Sequence, residues 1–223
     1  MGPRHVFTQE SFSCTLTVQR CLARTRRGHR QCQRRSFRHP YCLAHARIYM
    51  GVYPSVSTIP QAALGLFASR DLKRGDVIGP YTGEVFQDLG MLRDHRGGVV
   101  PIYSMHGSHG TVVDASRTRG YGGYINEPPR QGGRCNVRWK ALTVPRGEVT
   151  TSRGLVVSRK LRRLGWRRIS SDLLRAFGGH SLPWMWLTMD VPKDTEMFLP
   201  YRSGGAHHRT MHETSLTRMK EKK

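Results

Sequence analysis

A chain of 223 residues with a hydrophobic fraction of 37% is long enough for one full core plus an appendage, but not apolar enough for all of it to pack. Its formal charge of +22 excludes an evenly balanced surface, and the most apolar stretch, 182–191, is too short to span a bilayer and is broken by Pro183, so no membrane partner is expected. The opening MGPRHVFTQE has no apolar run and carries Val6 where a myristoylation signal needs Ser or Thr, so the five cysteines are expected as reduced thiols or metal ligands in an intracellular protein.

The location of the charge matters more than its size. Residues 1–50 hold ten Lys and Arg against Glu10 alone, and 141–188 hold nine against Glu148 and Asp172, whereas 51–140 and 189–199 together are nearly neutral. This pattern reads as a neutral catalytic or binding core with attached basic surfaces suited to nucleic acid or another polyanion; the alternative is a solvated basic surface.

Residues 1–20 carry no organising pattern and are expected to be unstructured. From there Cys21, Cys32, Cys42 and His45 follow as C-x10-C-x9-C-x2-H. Three thiolates and an imidazole satisfy a tetrahedral zinc ion, and the closing Cys-x2-His places two ligands on one turn. Such a site folds a segment with almost no core, so 21–50 is expected as a small zinc-binding module. Two other readings stand beside it: a disordered basic arm, or ligation by His29 or His39 in place of one of the four. The stretch resembles short C…RC…YC-x2-H zinc modules that precede other domains.

Residues 46–60 read as a short helix and linker. Alternating apolar residues on either side of Lys73-Arg74-Gly75-Asp76 then predict a hairpin-like pair of strands within 61–78, with Tyr81-Thr82-Gly83-Glu84-Val85 as a third. In 112–139 the glycines and the Pro128-Pro129 pair forbid a long helix, while Val112-Val113, Tyr124-Ile125, Val137 and Trp139 recur as brief strands. A backbone that turns so often, with Asn126 after an aromatic-aliphatic pair, is suited to bringing main-chain amides and one carboxamide close to a ligand.

The order ALGLFASRDLKRGDVI, YTGEV, VVDAS, GYINE, CNVRW, TEMFLPY resembles the SET-domain family of S-adenosylmethionine-dependent protein-lysine methyltransferases, over roughly 59–140 and 189–205. The resemblance implies a mainly β fold of several small sheets with a pseudoknot, in which the last strand threads beside Asn126. It implies that Leu64, Gly65, Leu66 and Phe67 line the cofactor through main-chain groups, with Tyr81, Asn126 and Glu127 also beside it. Tyr201 would be the catalytic tyrosine and Tyr103 a tyrosine of the lysine channel. The sequence departs from the family pattern at several points: Ala63 replaces the first glycine of a Gly-x-Gly pair, Asn126 is followed by Glu127-Pro128-Pro129, Gly123 stands where arginine is usual, Arg202 follows Tyr201, and no cysteine follows Cys135.

Residues 141–188 are longer than the family's usual connection and carry the basic run SRKLRRLGWRRI, with a short helix predicted over 170–177. They are expected as a basic insertion forming a surface excursion outside the sheet core, either a binding element or an extraneous segment, inside a SET-like domain spanning 59–205. Residues 206–223 are expected as a basic disordered tail. The function implied is methyl transfer from S-adenosylmethionine to a protein lysine, with a histone or other chromatin protein as partner and the nucleus ahead of the cytoplasm. Two other functions remain open: a SET-like binding module without catalysis, or a nucleic-acid binder acting through the zinc module and insertion.

Overall fold

The computed structural model describes residues 18–24, 30–37, 39–60, 62–100, 102–117, 119–129, 133–144 and 181–201, with Arg163, Gly165, Trp166, Ile169 and Leu173 singly. The expectations for 1–17, for 170–177 apart from Leu173, for Arg202 and for 206–223 lie outside the described residues, whereas 18–20, expected as part of an unstructured 1–20, form a strand paired with 35–37.

The architecture is mainly β, built from small antiparallel sheets as expected. β1 (Val18–Arg20) pairs with β2 (Arg35–Phe37) beside the helix α1 (Leu43–Tyr49). β3 (Val52–Val56) pairs with β4 (Leu64–Ala68). β5 (Val77–Pro80), β9 (Val137–Thr143) and β10 (Ser181–Leu187) form a sheet in the order β5-β10-β9. β6 (Glu84–Phe86), β7 (Ser104–His106) and β8 (Val112–Asp114) form another in the order β6-β8-β7, covered by α2 (Leu89–His95).

Several expectations are corrected. The helix lies at 43–49 rather than within a 46–60 helix and linker: Gly51 takes φ +75°, its N–H caps Ala46 O at 3.1 Å, and the Val-Tyr-Pro-Ser-Val run that follows is a strand. Arg70 reaches back to the Ile48 and Tyr49 carbonyls at the helix C-terminus, where a cation is favoured. The turn at 73–76 exists, but its flanking strands do not pair with each other; β4 pairs with β3, and β5 with β10. Tyr81 and Thr82 precede the third strand, which is confined to 84–86. Tyr121–Tyr124 is a 3-10 turn, not a strand, since Gly122 and Gly123 pack too closely against Met185 and Arg119 to carry side chains.

The largest correction concerns 141–188. Both of its ends belong to the sheet core: β9 continues through Ala141, Leu142 and Thr143, and β10 is the central strand, with Trp184 and Met185 wholly buried. The Trp166 ring lies 5.7 Å from Trp184 and 5.9 Å from Trp186, and Ile169 and Leu173 are buried as well. A seven-residue strand of this composition removes too much apolar area from water to remain at the surface.

The chain then returns through the site. Leu72 and Val191 form a bridge, Met197 N–H donates to Leu66 O (2.8 Å), and Phe198 bridges Asn126 in parallel. Leu199 N–H donates to Asn126 O (2.9 Å), while the Asn136 and Val137 amides donate to Phe198 O at 3.2 and 3.0 Å. Residues 196–199 are therefore threaded between β4, Asn126 and the start of β9, and the Asn136 side chain locks them at both polar ends: Nδ2 donates to Glu196 O (3.0 Å) and Oδ1 accepts from Phe198 N–H (2.8 Å).

Candidate functional site

Cys21 follows β1, Cys32 precedes β2, Cys42 is the residue before α1, and His45 sits in the helix's first turn. This local order brings one ligand atom from each within 4.8 Å of all the others. His45 Nδ1 is 3.4 Å from Cys21 Sγ and 3.3 Å from Cys42 Sγ. Ligands on a tetrahedral zinc, with bonds of about 2.0–2.3 Å, stand roughly 3.5 Å apart, so the donor set and its spacing fit that ion. Burial raises the Cys21 thiol to about 11, with backbone amides opposing and the neighbouring Cys42 adding to the rise. Zinc binding at such a thiol would be coupled to loss of its proton. His39 does not join the cluster: it is buried, accepts the Tyr41 N–H at Nδ1 (3.1 Å) and meets the Tyr121 ring edge-on at 4.2 Å, and burial lowers its pKa to about 3. His29 lies outside the described residues.

The second site is the group of polar and aromatic side chains beside the threaded segment. Asn126 Nδ2 faces Leu64 O at 3.0 Å, Glu196 Oε1 at 3.1 Å and Ser57 Oγ at 3.2 Å. Its Oδ1 meets no donor among the described residues, so a half-buried carboxamide oxygen is left for a ligand. Glu196, 3% exposed, accepts from Ser57 Oγ (2.7 Å), Thr58 N–H (2.7 Å) and Thr58 Oγ1. Burial raises its pKa, but these hydrogen bonds outweigh it and hold the carboxyl below the usual range. Its carboxylate fills the space that a Cβ on Gly65 would take.

Of the four residues expected to offer main-chain groups, only Leu64 is well exposed. The Leu66 carbonyl is taken by Met197, and Phe67 is buried against Tyr53, with ring centroids 5.8 Å apart. The glycine at 65 thus answers a demand from within the chain, the Glu196 carboxylate.

Four tyrosines, Tyr81, Tyr103, Tyr124 and Tyr201, stand close to this group. The Tyr201 hydroxyl donates to Ile125 O at 2.6 Å, although 38% of the residue is exposed, and the Tyr81 hydroxyl donates to Tyr103 O at 2.7 Å. Burial pushes both hydroxyls' pKa values up; each is raised further by its tyrosine neighbours and lowered by Arg119. The Arg119 guanidinium lies 3.7 Å above the Tyr103 ring and 5.8 Å from the Tyr124 ring. The Tyr103 hydroxyl has no hydrogen-bond partner among the described residues. Glu127 is exposed beside Asn126 and contributes to the rise at Tyr201 and at Cys135.

The structure thus brings Asn126 beside Leu64 and beside the Glu196 carboxylate that covers Gly65, with Glu127 exposed next to it, and links Tyr201 to Ile125, Tyr81 to Tyr103 and Tyr103 to Arg119. Glu196 and Arg119 were not singled out from the sequence. Glu196 stands inside TEMFLPY, where a buried acid in an otherwise apolar run was the available signal; Arg119 stood in SRTRG with none.

No family model and no curated protein matches the chain. Among solved structures it is similar to Polycomb Repressive Complex 2 of Chaetomium thermophilum in an autoinhibited conformation bound to S-adenosylmethionine, at 20% identity and a TM-score of 0.47, covering 75% of this chain and 17% of that one. The inhibitor-bound complex gives 21%, 0.47, 73% and 17%, and its crystal structure 20%, 0.45, 70% and 16%. The chain spans about a sixth of the length of those it matches.

Proposed function

We propose that this protein transfers a methyl group from S-adenosylmethionine to a lysine of a protein substrate, a histone or another basic chromatin-associated protein in the nucleus. The observation that carries the reading is a convergence of distant segments: Leu64 O, the Ile125-Asn126 pair and Tyr201 are joined by hydrogen bonds, with the Tyr81 hydroxyl on Tyr103 O. The donor, when bound, supplies an electrophilic methyl on a sulfonium. Leu64, Gly65, Asn126 and Glu127 would hold it, with Asn126 Oδ1 as an acceptor for its ammonium group. Tyr201, anchored on Ile125 O, keeps oxygen lone pairs free for the reacting centre, and the Tyr103 hydroxyl is available to an amine. The C–N bond forms as the C–S bond breaks, and the amine proton leaves to solvent, so no acid–base dyad is required. Zinc held by Cys21, Cys32, Cys42 and His45 has a structural role in this reading, since all four positions are filled by protein.

The test is calorimetric titration with S-adenosylmethionine, followed by methyl transfer to a histone panel. Tyr201→Phe is expected to retain donor binding and lose turnover on the order of a hundredfold. Absence of both donor binding and transfer in the parent protein sinks the enzyme reading in favour of a non-catalytic binding module.

A nucleic-acid partner is supported by a separate observation. Arg20 and Arg35 stand directly opposite in the β1–β2 pair, with Arg24, Arg30 and Arg34 also exposed, and the sequence has no Asp or Glu between Glu10 and Asp71. Like charges paired across a ladder repel, and phosphates relieve the repulsion. Affinity for duplex DNA or RNA is expected to fall steeply with salt and to weaken in Arg20→Gln/Arg35→Gln; unchanged binding removes this surface from consideration.

A further inference from the structure

Arg119 occupies an unusual place. Its stem packs over Gly123, where an added Cβ would run into its Cγ and Cδ, and its guanidinium lies on the Tyr103 ring and near that of Tyr124. No carboxylate pairs with it among the described residues. Two acids act on the same tyrosines: Asp114, wholly buried and bonded by Arg96 Nε (2.8 Å) and Ser116 N–H (2.8 Å), acts on Tyr81, and Glu127, exposed beside Asn126, acts on Tyr201. The guanidinium thus lies on the Tyr103 ring and near the Tyr124 ring, and its charge also acts on the Tyr81 and Tyr201 hydroxyls.

An aromatic box without a fixed charge favours an ammonium guest, through attraction to the ring faces. A box that already holds a permanent cation does the opposite, since guanidinium stays protonated at every working pH and like charge disfavours a second cation. Methyl transfer needs the lysine amine unprotonated, and free lysine, with a pKa of about 10.4, is almost entirely ammonium at neutral pH.

We propose that Arg119 is a positioning residue of electrostatic kind: by holding a fixed positive charge against Tyr103 and Tyr124, it makes the site select the neutral amine of the incoming lysine over its ammonium form. The inference rests on the methyltransferase reading for its chemical purpose, and it also makes a claim about binding that stands without turnover. Arg119 takes the position over Gly123 that a side chain at 123 would otherwise fill, so the guanidinium reaches the tyrosines from the preceding turn of chain.

The experiment uses the whole 223-residue chain without methyl donor and n-butylamine, the equivalent of the lysine side chain, as probe, with binding followed by ligand-observed NMR from pH 7 to 10.5. The parent protein is expected to bind more tightly as pH rises towards the amine's own pKa, gaining close to tenfold per unit. Arg119→Met is expected to bind at neutral pH with little pH dependence, and Arg119→Lys, which keeps the charge, to restore the parent slope. In methyl-transfer assays the acid limb of the rate profile of Arg119→Met is expected to move up by about one to two pH units, with Arg119→Lys close to the parent. Equal slopes for the parent and Arg119→Met, or no amine binding at any pH, overturn the inference. A parent slope that Met abolishes, together with no methyl transfer to any substrate, sustains the amine selectivity and overturns only the enzyme reading.

Discussion

The Cys3His module at 21–50 and the threaded segment at 196–199 both hold irregular backbone in place, by opposite means. In the module, two three-residue strands and a seven-residue helix surround four ligand atoms, and its cross-strand Arg20–Arg35 pair works against it. In the threaded region, main-chain hydrogen bonds to β4, Asn126 and Val137 are sealed by Met197 and Leu199, which are 0% and 1% exposed. Under the zinc reading the first arrangement depends on one ion and the second on many weak contacts, so although they share one core they should respond to different treatments.

Metal removal separates them most sharply. Structural zinc in small modules contributes about 10–16 kcal/mol of apparent binding free energy at neutral pH, far more than so small a module gains from packing. Chelation, or Cys42→Ala, is expected to open 21–50 to proteolysis while tryptophan fluorescence from β10 stays native. Unchanged metal content in Cys42→Ala would remove zinc from that cluster. The reverse break is Trp184→Ala, which empties the centre of the β5-β10-β9 sheet and is expected to cost about 3–5 kcal/mol in denaturant unfolding, with metal content unchanged.

The smallest effect tests the seam between the second site and the threaded strand. Because the Glu196 carboxyl has a lowered pKa in the fold, its contribution is fully present above the unfolded value of 4.5 and is lost as pH falls below that. Glu196→Gln is expected to cost about 1–3 kcal/mol at neutral pH and to flatten the loss of stability on acidification, as followed by urea unfolding at several pH values. An acid limb as steep as the parent's would show that other carboxylates set it.

The two regions also differ in how legible they were. That Cys21, Cys32, Cys42 and His45 gather could be read from spacing, because Cys42 and His45 are local to one turn and chemistry limits which side chains suit a metal. The return of 196–199 beside Asn126 came only through the order of six short motifs, since no local pattern specifies a partner 60 or more residues away. Pairing was misread for the same reason: β4 and β5 flank a true turn, yet each found a distant partner. β10 was hidden because SLPWMWL, a continuous apolar run, was grouped with the basic stretch before it; such a run bounded by turn residues marks a strand buried on both faces. In the second site, the tyrosines and Asn126 could be named, whereas Glu196 and Arg119 act through packing on Gly65 and Gly123, which only three dimensions display.

The threading has a consequence for how the protein is made. Ser57 must wait for Glu196, 139 residues later, and at about 5–20 residues per second the ribosome needs roughly 7–28 s to supply it. Throughout that interval the outer edge of β4 is an open row of amides and carbonyls, which is the kind of edge that recruits foreign strands. The uncovered β4 edge is therefore an adhesive surface of the nascent chain, and the residues of 195–197 that cover it also close that edge to aggregation.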